Sequence, residues 1–197
     1  MDKQTIQTYN QSAQEYDDET SDFWERFPRT FLDEFVNLGK GKVLDIGCGP
    51  GRDALLIQEK GCEVTCLDAS EEMLKLCKEK GLETIQGDFM DLPFEAGTFD
   101  GVWAYTSLLH IPKKDLPKAL AQIHKVLKAD SALAVGVIEG TEEFYKDSSN
   151  MGPRWFSYYT NKELVKYLED AGFQIIYQEE FKPRSRNYLN VLCMKLG

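Results

Sequence analysis

Three glycines fall within five positions in Gly47-Cys48-Gly49-Pro50-Gly51, directly behind the run Val43-Leu44-Asp45-Ile46. Glycine costs backbone entropy wherever it sits, so three together mark a sharp turn or a close approach to the backbone. The spacing is GxGxG, whereas the dinucleotide fingerprint is GxGxxG, and Arg52 stands where that fingerprint has its third glycine. Pro50 also withholds an amide that could reach a pyrophosphate. The turn therefore suits a ligand without a diphosphate. Asp68 ends a second apolar run, 21 residues after Gly47, where a carboxylate in a doubly wound sheet accepts from two ribose hydroxyls. Gly87-Asp88-Phe89 end a third, where a carboxylate can accept from an exocyclic amine while an apolar neighbour packs on a purine face. Each alone also reads as a tight turn, and an acid beside Ser70 as a helix cap. In series they point to a nucleoside.

Those three turns need strands that present them along one edge. Lys42 to Ile46, Glu63 to Leu67, Leu82 to Gln86, Phe99 to Ala104 and Ala132 to Ile138 read as strands. Asp53 to Lys60, Glu71 to Lys80 and Leu116 to Lys128 read as helices, the last with apolar residues at 116, 119, 120, 123, 126 and 127. Strict alternation predicts parallel strands joined by right-handed crossovers, hence an α/β, doubly wound, Rossmann-like sheet. Thr160 to Ala171 predicts a further helix, with Thr160 as N-cap, Glu163 completing a capping box and Gly172 after the last turn. Phe173 to Phe181 and Tyr188 to Met194 lie too close together for a parallel crossover and predict an antiparallel hairpin. The expected sheet has seven strands, six parallel and an antiparallel last strand.

Two regions stand outside this pattern. Thr5 to Glu19 and Trp24 to Asn37 read as aromatic-rich amphipathic helices, a cap over residues 1–40. Glu139 to Tyr159 reads as a long loop with Gly140, Gly152, Pro153 and a dense aromatic end, Trp155-Phe156-Ser157-Tyr158-Tyr159. Loops of that length tend to be lids or binding loops. A single domain over 1–197 is expected, made of the cap, a ligand-binding core (41–139), a lid loop (140–159) and a helix with a C-terminal β-hairpin (160–197).

The totals exclude several classes. With 197 residues the chain suits one domain, and a net charge of −10 disfavours nucleic acid, which is held mainly by Lys and Arg on phosphates. The densest basic stretches, Lys113-Lys114 and Lys182 to Arg186, are short. No apolar run approaches the length of a membrane span, and the acidic N-terminal stretch lacks a secretory core, so a cytoplasmic protein is expected. Cys48, Cys62, Cys66, Cys77 and Cys193 form no CxxC pair. Cys62 and Cys66 lack nearby partners to complete four ligands, so no metal is expected and the thiols read as small buried hydrophobes.

From about Tyr9 to Lys195 the chain resembles the class I S-adenosylmethionine (SAM) dependent methyltransferases, in their small-molecule branch of the ubiquinone-biosynthesis and tellurite-resistance types. Val43-Leu44-Asp45-Ile46-Gly47-Cys48-Gly49-Pro50-Gly51 matches the family's first motif, and Leu67-Asp68-Ala69-Ser70-Glu71-Glu72-Met73-Leu74 its second. Gly87-Asp88-Phe89-Met90-Asp91-Leu92-Pro93-Phe94 resembles the third, and Phe99 to Ala104 leading to Leu108-Leu109-His110-Ile111-Pro112 the fourth. The resemblance implies that Asp45, Gly47, Cys48 and Gly49 contact the methionine part of SAM and Asp68 the ribose. Ala69 and Met73 would form the adenine rim, Asp88 would take the adenine amine and Phe89 the ring. Ala104, Tyr105 and His110 should lie near the sulfonium and the acceptor. Tyr9-Asn10 and Ala13-Gln14-Glu15-Tyr16-Asp17 resemble the family's first helix, whose tyrosines, here Tyr9 and Tyr16, fold over the cofactor.

Methyl transfer from a sulfonium is an in-line displacement that needs position more than acid. Aromatic faces suit the sulfonium, because a ring quadrupole attracts a cation without acting as a nucleophile. Tyr9, Trp155 and Tyr158 are the candidates for the acceptor pocket, and His110 is the candidate general base. Cofactor and product would be SAM and S-adenosylhomocysteine, and the partner a small molecule with an O, N or S nucleophile. No Asn-Pro-Pro-Tyr follows the fourth strand, no Pro-Cys pair offers a nucleophile for cytosine C5, and no acid cluster is arranged for magnesium. Two other readings share these motifs: a regulatory SAM-binding protein without methyl transfer, and a nicotinamide oxidoreductase of Rossmann type.

Overall fold

Backbone rules break the N-terminal region into more pieces than its apolar periodicity suggests. The computed structural model describes residues 2–147, 151–183 and 185–197. The expected helix from Thr5 to Glu19 is two, α1 (Lys3–Gln11) and α2 (Ala13–Thr20). Ser12 separates them with a φ of −125°, and its Oγ donates back to the Thr8 carbonyl at 2.7 Å. The next expected helix is also split, into α3 (Phe23–Arg26) and α4 (Thr30–Leu38). Pro28 is the cause: the residue before a proline is pushed out of the helical region, and Phe27 sits at φ −131°, ψ 154°.

The alternating region folds as read. In chain order it forms β1 (Lys42–Ile46), α5 (Arg52–Glu59), β2 (Glu63–Asp68), α6 (Glu71–Glu79), β3 (Glu83–Gln86), β4 (Phe99–Tyr105), α7 (Leu116–Val126) and β5 (Leu127–Ile138). Helix α7 stops two residues earlier than expected and β5 starts five earlier. The long segment that reads as a loop is a correction, since it contains an antiparallel hairpin of β6 (Glu143–Asp147) and β7 (Pro153–Ser157). Gly140, Gly152 and Pro153 punctuate the sequence like a loop and hide the period-2 alternation between them. Residues 148–150 of the expected lid, and Arg184 of the basic stretch Lys182 to Arg186, lie outside the described residues. The chain closes with α8 (Asn161–Asp170), β8 (Phe173–Phe181) and β9 (Tyr188–Lys195). Thr160 caps α8 by accepting from the Glu163 amide at 3.2 Å, while the Glu163 carboxylate pairs with Lys113 at 2.9 Å.

The seven-stranded sheet has the order β3-β2-β1-β4-β5-β9-β8. Strands β1 to β5 pair in parallel, and β9 runs antiparallel to both β5 and β8, so six strands share a direction and one opposes it. Helices α4, α5 and α6 pack their apolar stripes on one face and α7 and α8 on the other. Strand order reverses between β1 and β4, the crevice where this architecture binds ligands. Among the described residues no helix is long and apolar enough to cross a membrane.

Candidate active site

The turn after β1 is shaped by backbone that only glycine adopts without strain. Gly47, Gly49 and Gly51 have φ of 64°, 55° and 84°. A methyl group on Gly47 would come within 2.5 Å of Ser107 Cβ, so the turn lies directly against the exit of β4. Its far side is buttressed by thiols. The Sγ atoms of Cys48, Cys66 and Cys77 lie within 4.8 Å of one another, and Cys77 Sγ donates to the Gly49 carbonyl at 3.2 Å. Sequence spacing, which drew attention to Cys62 and Cys66, gave no sign of this trio. All five cysteines are free and buried.

This turn, the ends of β2 and β4, and helices α1 and α2 line a cavity of about 630 Å³ measured out to bulk solvent. Asp45, Gly47, Cys48, Gly49, Asp68, Met73, Phe89 and Tyr105 line it, with Tyr9, Tyr16 and His110. Asp68 Oδ2 accepts from the Gly49 amide at 3.0 Å and Oδ1 from the Ser70 amide at 2.8 Å. Burial pushes its carboxyl up to about 6, against the lowering effect of those amides. A carboxylate has lone pairs beyond these two bonds, so Asp68 retains capacity for a pair of hydroxyls.

Asp45 is held differently. It is buried, and its Oδ2 takes no hydrogen bond from any described residue. Burial, with Asp53 and Cys77 nearby, raises its carboxyl well above the ordinary range. A buried acceptor left open in a cavity wall suits a ligand that brings a donor, such as the ammonium of an amino acid. Asp53 has the opposite environment: its carboxylate accepts from Trp24 Nε1 at 2.6 Å, Trp103 Nε1 at 2.9 Å and Arg52 Nε at 2.6 Å. Burial alone would raise it, and the Arg52 guanidinium with the two indoles holds it below its usual value. Sequence reading missed this clamp, because its two indoles come from helix α3 and strand β4.

A second cavity, about 1230 Å³ measured out to bulk solvent, adjoins the first. The two share Tyr9, Tyr16, Thr20, Thr106 and His110. Thr106 has a φ of 56°, rare for a β-branched residue, and this turn places it at the junction. His110 is buried there, with Nδ1 2.6 Å from the Trp155 carbonyl and Nε2 2.8 Å from Tyr9 Oη. The carbonyl can only accept, so Nδ1 carries the proton and Nε2 accepts from the phenol. Burial pushes His110 down to about 4 and the Tyr9 phenol well above its ordinary value.

Five expected site residues lie outside both cavity walls. Ala104 is packed in the core beneath Tyr105 and Thr106, which face the cavity in its place. The Ala69 carbonyl accepts from Gln86 Nε2 at 3.3 Å, and Asp88 Oδ1 accepts from the Met90 amide at 2.9 Å. Trp155 and Tyr158 are the remaining two. Strand side chains alternate, so Arg154 and Phe156 line the second cavity while Trp155 lies between them on the opposite face. Tyr158 packs on Phe144, with ring centroids 5.1 Å apart.

Comparison with known proteins agrees with this architecture. A methyltransferase domain model matches residues 43–130. An uncharacterized methyltransferase of Staphylococcus carnosus is 29% identical over 83% of this chain and 73% of its own length. A demethylmenaquinone methyltransferase of Staphylococcus epidermidis is 42% identical over 47% of this chain, which spans only 42% of that relative. Among solved structures, a Burkholderia thailandensis 1,6-didemethyltoxoflavin-N1-methyltransferase with bound 1,6-didemethyltoxoflavin and S-adenosylhomocysteine superposes with a TM-score of 0.75, at 22% identity over 97% of this chain and 88% of that one. That likeness concerns the fold. In sequence over residues 43–130, and in fold over nearly its whole length, the chain is thus similar to methyltransferases.

Proposed function

We propose that this protein transfers a methyl group from SAM to a nucleophilic atom of a small molecule. The observation that carries the reading is the pair of adjoining cavities, one walled by the glycine turn, Asp45 and Asp68, the other by aromatic and cationic side chains. When bound, SAM supplies an electrophilic methyl on a sulfonium. Asp68 would hold the ribose, and Asp45, Gly47, Cys48 and Gly49 the methionine part. Met73 and Phe89 would pack on the adenine, with Ala69 and Asp88 at its outer edge. Tyr16 and Tyr105 would present ring faces and phenol oxygens towards the cationic centre.

His110, in this reading, positions Tyr9. With its Nε2 engaged by the phenol and its basicity depressed by burial, it is a poor proton acceptor near neutral pH. Tyr9 thereby becomes a fixed wall between donor and acceptor, and the rate enhancement comes from alignment and exclusion of water. The β6–β7 hairpin serves as the lid. It is tied to α1 by Thr8 Oγ1 donating to the Pro153 carbonyl at 2.8 Å and by the Trp155 amide donating to Thr5 Oγ1 at 2.9 Å. Five free, buried cysteines suit a reducing compartment, which supports a cytoplasmic setting.

Calorimetric titration should give saturable SAM binding at one site per chain, and incubation with SAM and pooled small molecules should yield S-adenosylhomocysteine. SAM binding without S-adenosylhomocysteine from any pool would turn the assignment to a regulatory SAM-binding protein. NADH binding in place of SAM would turn it to an oxidoreductase.

A further inference from the structure

The wall of the second cavity inverts the charge of the chain. The protein has 33 acidic residues against 23 Lys and Arg. Yet the described residues lining this cavity include Arg26, Arg154 and Arg186 and a single acid, Glu19. Their burial separates them further. Glu19 is exposed at the mouth, and so is Arg26, which is offset by Asp22 at 2.6 Å. Arg154 is 5% exposed and Arg186 half-buried. The interior of the cavity is therefore cationic on a strongly anionic protein.

Arg154 is also held rigidly. Its guanidinium stands 5.2 Å over the Tyr9 ring and 5.4 Å over the Phe156 ring, and it donates to Tyr9 Oη at 3.1 Å. Stacking between two rings fixes the plane of the fork, which leaves little rotamer entropy to lose when an anion docks. Arg186 enters from the turn before β9, two residues from Tyr188, which lines the same cavity. Phe23, Phe27 and Leu109 add apolar lining to the same cavity.

Building on the methyl-transfer reading above, we infer that the acceptor is an organic anion, a ring-sized apolar body bearing a carboxylate or comparable acidic group. Arg154 and Arg186 hold the anion, and the ring lies among Phe156, Phe27 and Tyr188 with its nucleophilic atom towards Tyr9 and Thr106. Guanidinium forks match planar oxyanions in geometry, and such charge-assisted bonds are the strong ones. A cationic wall also disfavours a positively charged acceptor, which gives the site its discrimination.

The test uses the full chain saturated with S-adenosylhomocysteine and matched pairs of probes: hydroxy-, amino- and mercaptobenzoates and heteroaromatic carboxylates, each beside its primary amide. Calorimetry should show at least one carboxylate binding about tenfold or more tighter than its amide. Arg186→Gln should abolish that preference while SAM affinity is retained; this turn residue is half-buried and its replacement spares the core. Arg154→Lys should weaken the carboxylate by a similar factor, because an ammonium lacks the planar fork. Amides binding as tightly as their acids, or no carboxylate binding while SAM binds normally, would overturn the acceptor assignment and leave methyl transfer standing. Failure of SAM itself to bind would remove both.

Discussion

Tyr9 of α1 and His110 after β4 share a hydrogen bond of 2.8 Å across a separation of 101 positions. That bond fastens the N-terminal cap to the sheet at the place where the two cavities meet. Tyr9→Phe keeps the ring and removes the hydroxyl, leaving His110 Nε2 buried and unpaired. Urea denaturation should show a loss of about 1–3 kcal/mol. Product formation should fall more than SAM affinity does.

His110 should remain uncharged across the physiological range. Its folded value of about 4 lies below the ordinary 6.5, so the unfolded chain binds a proton that the native one refuses. The corresponding stability is fully present above pH 6.5 and is lost as pH falls towards 4, with a total on the order of a few kcal/mol. NMR of the imidazole Cε1 proton should give a flat shift for His110 from pH 8 to 5. A midpoint near 6.5 would contradict the buried, phenol-bound geometry.

Asp68 should couple SAM binding to protons. Its carboxyl, raised by burial to about 6 in the free protein, must be ionised to accept from ribose hydroxyls. SAM binding should weaken as pH falls through about 6, and near that pH calorimetry in buffers of different ionisation enthalpy should detect proton release on binding. The stability effect has the opposite sign to that of His110: the raised value means the free protein gains stability from this group as pH falls from about 6 towards 3.8. Asp68→Ala should cost SAM about 1.5–3 kcal/mol of binding at neutral pH.

Gly47→Ala meets two obstacles, a φ of 64° and a contact of 2.5 Å with Ser107 Cβ. The turn or the exit of β4 must shift to admit the methyl group. Thermal denaturation should show a loss of about 1–3 kcal/mol, and SAM binding should fall below detection by calorimetry. Wild-type affinity in this variant would mean that the turn is not a cofactor cradle.

Asp53→Ala strands the Arg52 guanidinium and two indole donors that now converge on one carboxylate. Removing one partner of a buried ion pair costs about 3–5 kcal/mol. Denaturation midpoints should fall accordingly, and the near-ultraviolet circular dichroism of Trp24 and Trp103 should change.

The strand sequence, the parallel crossovers, the closing hairpin and the three loop positions were legible because each depends on local rules. Strand and helix periods are read over a few residues, and a turn that demands positive φ shows itself as glycine. The same rules failed where punctuation misled. Pro28 lies inside an apolar period that promised a continuous helix, and Gly140, Gly152 and Pro153 disguised β6 and β7 as loop. Trp155 and its neighbours Arg154 and Phe156 differ by one position and so take opposite faces of β7, a distinction that this punctuation conceals.

The sequence by itself determined which turns line the first cavity, since the glycine turn after β1, Asp68 and Phe89 follow strands whose order is read directly from the chain. Only the tertiary structure decided which distant side chains meet around the two cavities. Arg154 reaches Tyr9 across 145 positions, Trp24 and Trp103 converge on Asp53, and three thiols from a turn, a strand and a helix meet behind Gly49. No local period encodes those meetings. They arise because burial of apolar faces brings distant elements together, and the polar groups carried in with them must then find partners or face the ligand.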